Sequence, residues 1–354
     1  MKKVIVGMSG GVDSSVTALL LKEKGYEVIG VNLRMWSDDC SSTSKCHDTI
    51  SIEDAKNVCK LLQIPFYTID FRNIFKEKVI DYFADEYING RTPNPCNTCN
   101  RYVKFEALLN QALTVFNADY IATGHYASVE YNKDTDRYYL KEAKNTSKDQ
   151  TYALYNLTQE QLKHIIMPLG EYTKEEVREI AKKNNLVISD KPDSQEICFI
   201  PDNDYAKYIE KNYEYKSRKG DFVDKDGNVL GTHKGIINYT IGQRRGLGLS
   251  LKEPLYVSEL DIKNNKVILV KHEELYKNSL ICTKINYMAM ADLKEERTVL
   301  AKIRYSAKKE KCKLSLLDNG NLKVTFDSPQ RAITPGQSIV FYEDKIVLGG
   351  GTIL

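Results

Sequence analysis

The sequence predicts an α/β protein, in which an N-terminal doubly wound parallel sheet precedes two small β-rich domains. In the first part of the 354-residue chain, short apolar strands alternate with amphipathic helices, which is typical of a parallel sheet covered on both faces. After about residue 213, short strands follow at close spacing and are separated by turns such as Asp226-Gly227 and Asn319-Gly320. This change predicts domains at residues 1–212, 213–280 and 281–354.

Hydrophobic periodicity and capping signals predict the elements of the first domain. Thr173-x-x-Glu176 is a capping box, and Ser51-x-x-Asp54 resembles one, so we expect a helix to begin at each. The predicted strands are 2–8, 27–33, 65–70 and 120–123, and the predicted helices are 14–24, 51–62, about 74–87, about 102–113, 173–183 and 204–211.

The charge is distributed unevenly along the chain. Residues 1–210 contain 26 Lys and Arg against 31 Asp and Glu, whereas residues 211–354 contain 25 against 17. The second part therefore carries a formal charge of +8, which favours a polyanionic partner such as RNA. An unevenly solvated surface would give the same count.

Eight cysteines occur in a chain with no recognisable secretion signal and no apolar run near the roughly 18 residues of a spanning helix. We expect a cytoplasmic protein with no membrane partner, whose cysteines are free, catalytic or metal-bound. Cys59 and Cys282 are predicted to pack in the core, and Cys312 gives no functional signal. Cys40 and Cys46 are expected in a polar, mobile loop, although metal binding or sulfur relay is an alternative for them.

A glycine-rich segment, GMSGGVDSS at residues 7–15, joins the first predicted strand to the first helix. Such a junction presents backbone N–H groups and a helix N-terminus to an anion, and adjacent glycines allow a phosphate to approach closely. The segment has neither the lysine of a Walker A loop nor the G-x-G-x-x-G spacing. A simple helix cap with two turn glycines is the structural alternative.

The segment S-G-G-V-D-S resembles the PP-loop of ATP pyrophosphatases, which have an adenine nucleotide alpha hydrolase-like fold. Together with GRTPNPCNTCN (90–100), ATGHYA (122–127), KDQTY (148–152), DSQEICFI (193–200) and TIGQRRGLG (240–248), it resembles the tRNA-specific 2-thiouridylases, the MnmA family. The resemblance covers essentially the whole chain.

The resemblance implies that ATP adenylates the C2 oxygen of the wobble uridine and that sulfur then replaces this oxygen. Cys198 would carry the sulfur as a persulfide, and Cys99 would attack it, which leaves the pair as a disulfide. The implied partners are the tRNAs for Lys, Glu and Gln and a sulfur donor: a relay protein, a cysteine desulfurase or sulfide. The implied ATP-site residues, of which Asp13 would also help to hold magnesium, are Gly7, Met8, Ser9, Gly10, Gly11, Val12, Asp13, Ser14, Leu33 and Gly124. The implied tRNA contacts are Asn94, Pro95, Cys96, His125, Lys148, Asp149, Gln150, Arg304, Tyr305 and Gln337.

One residue departs from the pattern of the family, in which many members have Asp at the position of Cys96. Cys96, Cys99 and Cys198 could hold three irons of a four-iron cluster and leave the fourth open for hydrosulfide. The three cysteines therefore favour an iron–sulfur variant of the family, and the alternative is a persulfide route that needs only Cys99 and Cys198. A zinc site lacks an assigned fourth ligand.

Two other functions share some of these features. A PP-loop ligase of the argininosuccinate-synthase kind would use the glycine loop without needing Cys99 or Cys198. A non-catalytic RNA-binding protein would bind tRNA without ATP-dependent release of pyrophosphate.

Overall fold

The computed structural model describes residues 1–36, 47–186, 188, 197–200 and 202–354, without the side chains of residues 47–49. Cys40, Cys46 and the segment 193–196 therefore lie outside the described residues. The helices are α1 (Val12–Glu23), α2 (His47–Leu61), α3 (Arg72–Phe75), α4 (Tyr82–Ile88), α5 (Pro95–Cys99), α6 (Leu108–Thr114), α7 (Gln159–Lys163), α8 (Lys174–Lys183) and α9 (Tyr205–Asn212). The strands are β1 (Lys3–Gly7), β2 (Glu27–Arg34), β3 (Phe66–Asp70), β4 (Tyr120–Ala122), β5 (Ala127–Asn132), β6 (Arg137–Glu142), β7 (Ile165–Ile166), β8 (Gly220–Val223), β9 (Val229–His233), β10 (Tyr256–Asp261), β11 (Lys266–Val270), β12 (Tyr276–Tyr287), β13 (Arg297–Lys302), β14 (Glu310–Leu316), β15 (Leu322–Arg331), β16 (Ser338–Glu343) and β17 (Ile346–Ile353).

The N-terminal sheet has five parallel strands in the order β3-β2-β1-β4-β7. Side chains of β1 alternate between its two faces, as the period of a strand requires. Val4 and Val6 pack in one core with α1, α2 and α8, whereas Ile5 packs in another with Phe75 and Leu108. The predicted doubly wound sheet is therefore confirmed.

Two further sheets follow, as the close strand spacing predicted. One has four strands in the order β10-β11-β8-β9. In the other, β12-β15-β14-β13-β16-β17 close into a barrel because β12 also pairs with β17. The hairpin β5–β6, which the sequence did not predict, joins this barrel through β17. The fold class is confirmed, and the two boundaries between the three domains stay predictions.

Of the two helix starts predicted from capping signals, one is confirmed and one is wrong. Thr173 forms the predicted capping box of α8 with Glu176. The prediction at Ser51 is wrong, because α2 begins four residues earlier and Ser51 lies inside it. The helix predicted at about 102–113 extends to Pro95, since α5 continues through a π-helical segment (Asn100–Ala107) into α6. No helix among the described residues is long and apolar enough to cross a membrane.

Candidate active site

The glycine loop lies between the end of β1 and the start of α1. Among the described residues, no side chain caps the N-terminus of α1, so its first N–H groups are available to an anion. Gly10 has a φ of +70°, and a Cβ there would collide with the backbone of Ser51. A Cβ on Gly124 would lie 2.7 Å from the carbonyl carbon of Asp13, so glycine allows the end of β4 to approach the loop.

A cavity of about 220 Å³ opens beside this loop, at the carboxyl ends of the parallel strands. Ligands of open α/β sheets bind at this edge. The cavity combines polar loop groups with apolar side chains, which suits the phosphates and the nucleoside of a nucleotide. It is lined by Gly7, Met8, Ser9, Asp13, Ser14, Asn32, Leu33, Met35, Lys104, Leu108, Thr123, Gly124, His125 and Gln150.

The carboxylate of Asp13 is held by two partners. The ammonium of Lys174 donates to Oδ1 and Oδ2 at 2.8 and 2.9 Å, and the Tyr126 hydroxyl donates to Oδ1 at 2.8 Å. Lys174 is almost fully buried, at 7% side-chain exposure, so this pair fixes the loop against α8. A single carboxylate beside a phosphate site fits magnesium, which keeps several waters and takes few protein ligands.

Two other polar side chains in the cavity have defined hydrogen-bond partners. Asn32 donates its amide to the carbonyl oxygen of Met8 at 3.0 Å, and its Oδ1 has no partner among the described residues. His125 Nδ1 lies 2.6 Å from the Thr123 hydroxyl. Burial lowers the pKa of His125 well below its usual range, with a smaller contribution from Lys104, so this imidazole is neutral at neutral pH.

Cys96 and Cys99 lie on α5, whose N-terminus is capped by Asn94. Its Oδ1 accepts hydrogen bonds from the N–H groups of Cys96 and Asn97 at 3.1 and 3.3 Å, and Pro95 occupies the first turn. Cys96 is exposed and Cys99 is buried. The Cys99 sulfur lies 3.8 Å from the sulfur of Met35, which lines the cavity, so this thiol adjoins the candidate nucleotide site.

Cys198 interacts electrostatically with both of these cysteines. Burial raises the pKa of Cys99 to about 11, and Lys104 opposes the shift. Desolvation also raises the pKa of Cys198 to about 12, with repulsion from Cys99 and Cys96 adding to it. The residue Cys198 is exposed as a whole. Its sulfur nevertheless lies among protein atoms, so desolvation is the largest cause of its raised pKa. Both thiols are therefore protonated at neutral pH in this state.

The three cysteines do not fit a metal centre as they stand. Within the described ranges, no group of three or more His, Cys, Asp or Glu side chains is close enough to hold a metal ion. The arrangement gives the iron–sulfur hypothesis no support.

The residues predicted to contact tRNA divide between two places. Tyr305 is exposed, its hydroxyl donates to the Asp149 carbonyl at 3.1 Å, and it interacts electrostatically with Lys148 and Cys96. Gln337 donates to the Thr92 carbonyl at 2.8 Å and so holds the segment before α5. In contrast, His125 and Gln150 line the nucleotide cavity.

Some predicted residues have clear structural roles. The Asp149 carboxylate is buried and accepts hydrogen bonds from Thr151 and from the N–H of Ala143. The Arg304 guanidinium donates to the Arg331 carbonyl at 3.1 Å. Val12 packs in a hydrophobic core, as do Cys59 and Cys282, for which core packing was predicted.

Sequence reasoning missed Lys104, Lys174 and the cavity-lining Asn32 and Met35. Lys104 follows Cys99 by five residues on one continuous helix, and this spacing was the available signal. For Lys174 the sequence offered no signal beyond its place after the capping residue of α8, because its partner Asp13 is 161 positions away.

The parallel sheet, the uncapped glycine loop and the adjoining cavity define an α/β nucleotide-binding protein of the PP-loop class. Three family models match consecutive parts of the chain: "tRNA methyl transferase HUP domain" at residues 2–202, "tRNA methyl transferase PRC-barrel domain" at 207–271, and "Aminomethyltransferase beta-barrel domain" at 277–353.

Curated relatives match the whole chain. Proteins named tRNA-specific 2-thiouridylase MnmA from Acetivibrio thermocellus and Clostridium perfringens are each 53% identical, over 99% of this chain and 99% and 98% of theirs. The protein of that name from Clostridioides difficile is 50% identical, over 99% of this chain and 98% of its own. The chain belongs to the tRNA-specific 2-thiouridylase family.

Proposed function

We propose that this protein is a tRNA-uridine 2-sulfurtransferase, which uses ATP to replace the C2 oxygen of the wobble uridine with sulfur. The observation that carries the proposal is the contact of Cys99 with Met35, because it places a thiol at the wall of a cavity that the phosphate loop also lines. The names of relatives that match 99% of the chain point to the same reaction. A cytoplasmic location stays a prediction.

In the first step, the glycine loop binds the phosphates of ATP. The N–H groups at the start of α1 and the hydroxyls of Ser9 and Ser14 donate hydrogen bonds to the phosphate oxygens. Asp13 would hold magnesium, which neutralises phosphate charge. The C2 oxygen of uridine attacks the α-phosphorus, and pyrophosphate leaves.

In the second step, sulfur replaces that oxygen. Cys198 enters as a persulfide. The Cys99 thiol gives up its proton to solvent, and the resulting thiolate attacks the inner sulfur of the persulfide, which forms a Cys99–Cys198 disulfide and releases hydrosulfide. The hydrosulfide attacks C2, and the C2–O bond breaks with its electron pair on the oxygen of AMP. A dithiol reductant then restores the two thiols, and a relay protein or a desulfurase that carries sulfur as a persulfide transfers the next sulfur to Cys198. Sulfide would instead attack the Cys99–Cys198 disulfide at Cys198, which forms the Cys198 persulfide and frees the Cys99 thiol without a further reductant.

We expect the tRNA to bind on the side of the protein where Tyr305 interacts electrostatically with Lys148 and Cys96. An exposed tyrosine offers a stacking surface for a base turned out of the anticodon loop. The excess of Lys and Arg after residue 210 supplies the non-specific attraction to phosphate. The tRNAs for Lys, Glu and Gln are the expected substrates.

The experiment that tests this function is thiolation of an unmodified tRNA with ATP, cysteine and a cysteine desulfurase as the sulfur donor, in which 2-thiouridine and pyrophosphate are both measured. We expect both products only when ATP and tRNA are present together. Cys99→Ala and Cys198→Ala should abolish 2-thiouridine, whereas Cys312→Ala, in the barrel core, is the matched control and should retain it. Full activity in Cys99→Ala would favour a ligase, and tRNA binding without pyrophosphate release would favour an RNA-binding protein.

The iron–sulfur alternative is tested on the same preparation, purified without oxygen. Near-stoichiometric iron and acid-labile sulfide, with an inactive Cys96→Ala variant, would establish it. Iron-free protein that still thiolates, with Cys96→Ala active, is the result that the persulfide route requires.

A further inference from the structure

Lys104 occupies a position that links the nucleotide cavity with the cysteines. It lies in the π-helical segment Asn100–Ala107, between Cys99 and Leu108 along one continuous helix. Lys104 and Leu108 both line the cavity, together with Ser9 and Ser14 of the loop. Lys104 therefore borders the same cavity as the phosphate loop.

The ammonium of Lys104 has no counterion in the described part of the chain. It is partly buried, and it makes no salt bridge or side-chain hydrogen bond with the described residues. The other lysine near the loop, Lys174, is already paired with Asp13. A partly desolvated cation without a partner favours the binding of an anion. The loop itself contains no lysine that could serve instead.

We propose that Lys104 binds the α-phosphate of the nucleotide, first in ATP and then in the AMP leaving group. The second half of this statement rests on the proposed function. As the C2–O bond breaks, the electron pair goes to the oxygen of AMP, and the added negative charge develops next to this ammonium. Lys104 is then a catalytic residue of the sulfur-transfer step as well as a ligand of ATP.

The surroundings of Lys104 agree with this role. Its positive charge also acts on Cys99 and Cys198, where it opposes the rise in pKa that burial causes. One cation therefore faces both the leaving group and the sulfur nucleophiles. Negative charge on either of them is stabilised from the same point.

The test compares the binding of AMP and adenosine to the full-length protein by calorimetry, without tRNA. In Lys104→Met we expect AMP affinity to fall roughly tenfold to hundredfold, which is the usual effect of losing one charged hydrogen bond, with adenosine affinity nearly unchanged. Lys104→Arg should restore most of the loss. Lys78→Met is the control, because Lys78 is exposed, pairs with Glu77 and does not line the cavity.

The ratio of AMP affinity to adenosine affinity decides whether Lys104 binds the phosphate. An equal AMP-to-adenosine ratio in wild type and Lys104→Met would overturn the proposal, whether both affinities fall together or neither changes. If Lys104→Met kept the wild-type ratio here and lost tRNA affinity in a separate binding measurement, Lys104 would be assigned to the RNA instead. Because the assay contains no tRNA or sulfur, its result is independent of whether thiolation is found.

Discussion

At the scale of single residues, the buried Lys174 determines how the phosphate loop is held. Its ammonium and the Tyr126 hydroxyl together bind the Asp13 carboxylate. These residues come from three distant parts of the chain, so the loop depends on tertiary structure for its shape. We expect the same carboxylate to bind magnesium, so magnesium and the ammonium of Lys174 must share it.

Removal of Lys174 should weaken both the fold and the ATP site. In Lys174→Met, Asp13 loses its cation in a largely buried setting, and we expect the free energy of unfolding to fall by about 1–3 kcal/mol. Pyrophosphate release should fall with it. Urea unfolding and a pyrophosphate assay measure the two effects. Lys183→Met, at the exposed end of the same helix, should match wild type, and equal stability of the two variants would contradict the role of the pair.

The neutral His125 makes stability depend on pH. Since burial lowers its pKa, the unfolded chain takes up a proton below about pH 6.5 while the folded protein does not. The stability that the neutral His125 contributes is fully present above pH 6.5. It is lost as the pH falls below that value, and the free energy of unfolding then decreases by at most about 1.4 kcal/mol per pH unit. Urea unfolding at pH 7.5 and 5.5 should therefore show a smaller loss for His125→Gln than for wild type. Identical losses would mean that His125 is protonated in the folded state.

At the scale of elements, the end of β4 and the start of α1 meet at Gly124. In Gly124→Ala the new methyl group would lie 2.7 Å from the carbonyl carbon of Asp13, so the two elements must separate. We expect a loss of about 1–3 kcal/mol in unfolding free energy and weaker ATP binding. In Gly7→Ala the methyl group would meet its neighbours at 3.6 Å, an ordinary contact, so this variant should unfold like wild type. Wild-type ATP affinity in Gly124→Ala would show that the junction is not part of the site.

The N-cap of α5 sets the position of the helix that carries Cys96 and Cys99. Asn94→Ala removes the acceptor for two backbone N–H groups, and we expect it to lower the unfolding free energy by about 1 kcal/mol. Asn94→Asp keeps the acceptor and is the matched control. If both variants melted at the same temperature in thermal unfolding, the N-cap role of Asn94 would be contradicted.

Local signals predicted some elements well and left out others. The loop at residues 7–15, the alternation of β1 and the capping box at Thr173 depend on near neighbours, and the sequence was sufficient for them. The hairpin β5–β6 and the pairing of Asp13 with Lys174 depend on contacts across the fold, which no local pattern contains. Lys104 was overlooked because one lysine in an amphipathic helix is ordinary until a cavity is seen beside it.

At the scale of the whole molecule, the catalytic sheet and the C-terminal barrel share one hydrophobic core. Phe75 and Leu108 pack in the same cluster as Leu140 of the hairpin and Val340 and Val347 of the barrel. We therefore expect a single calorimetric transition for these two regions. A separate barrel transition would contradict the shared core. Truncation before β12 should leave a chain that does not unfold cooperatively.

The phosphate loop and the pair Cys99 and Cys198 are expected to act in one site, the loop in ATP chemistry and the two cysteines in sulfur transfer. The most direct measurement is the ratio of 2-thiouridine formed to pyrophosphate released in a single turnover. We predict a ratio of about one for wild type and near zero for Cys198→Ala, with pyrophosphate release retained because the loop is intact. A Cys198→Ala variant that keeps the wild-type ratio would contradict the account.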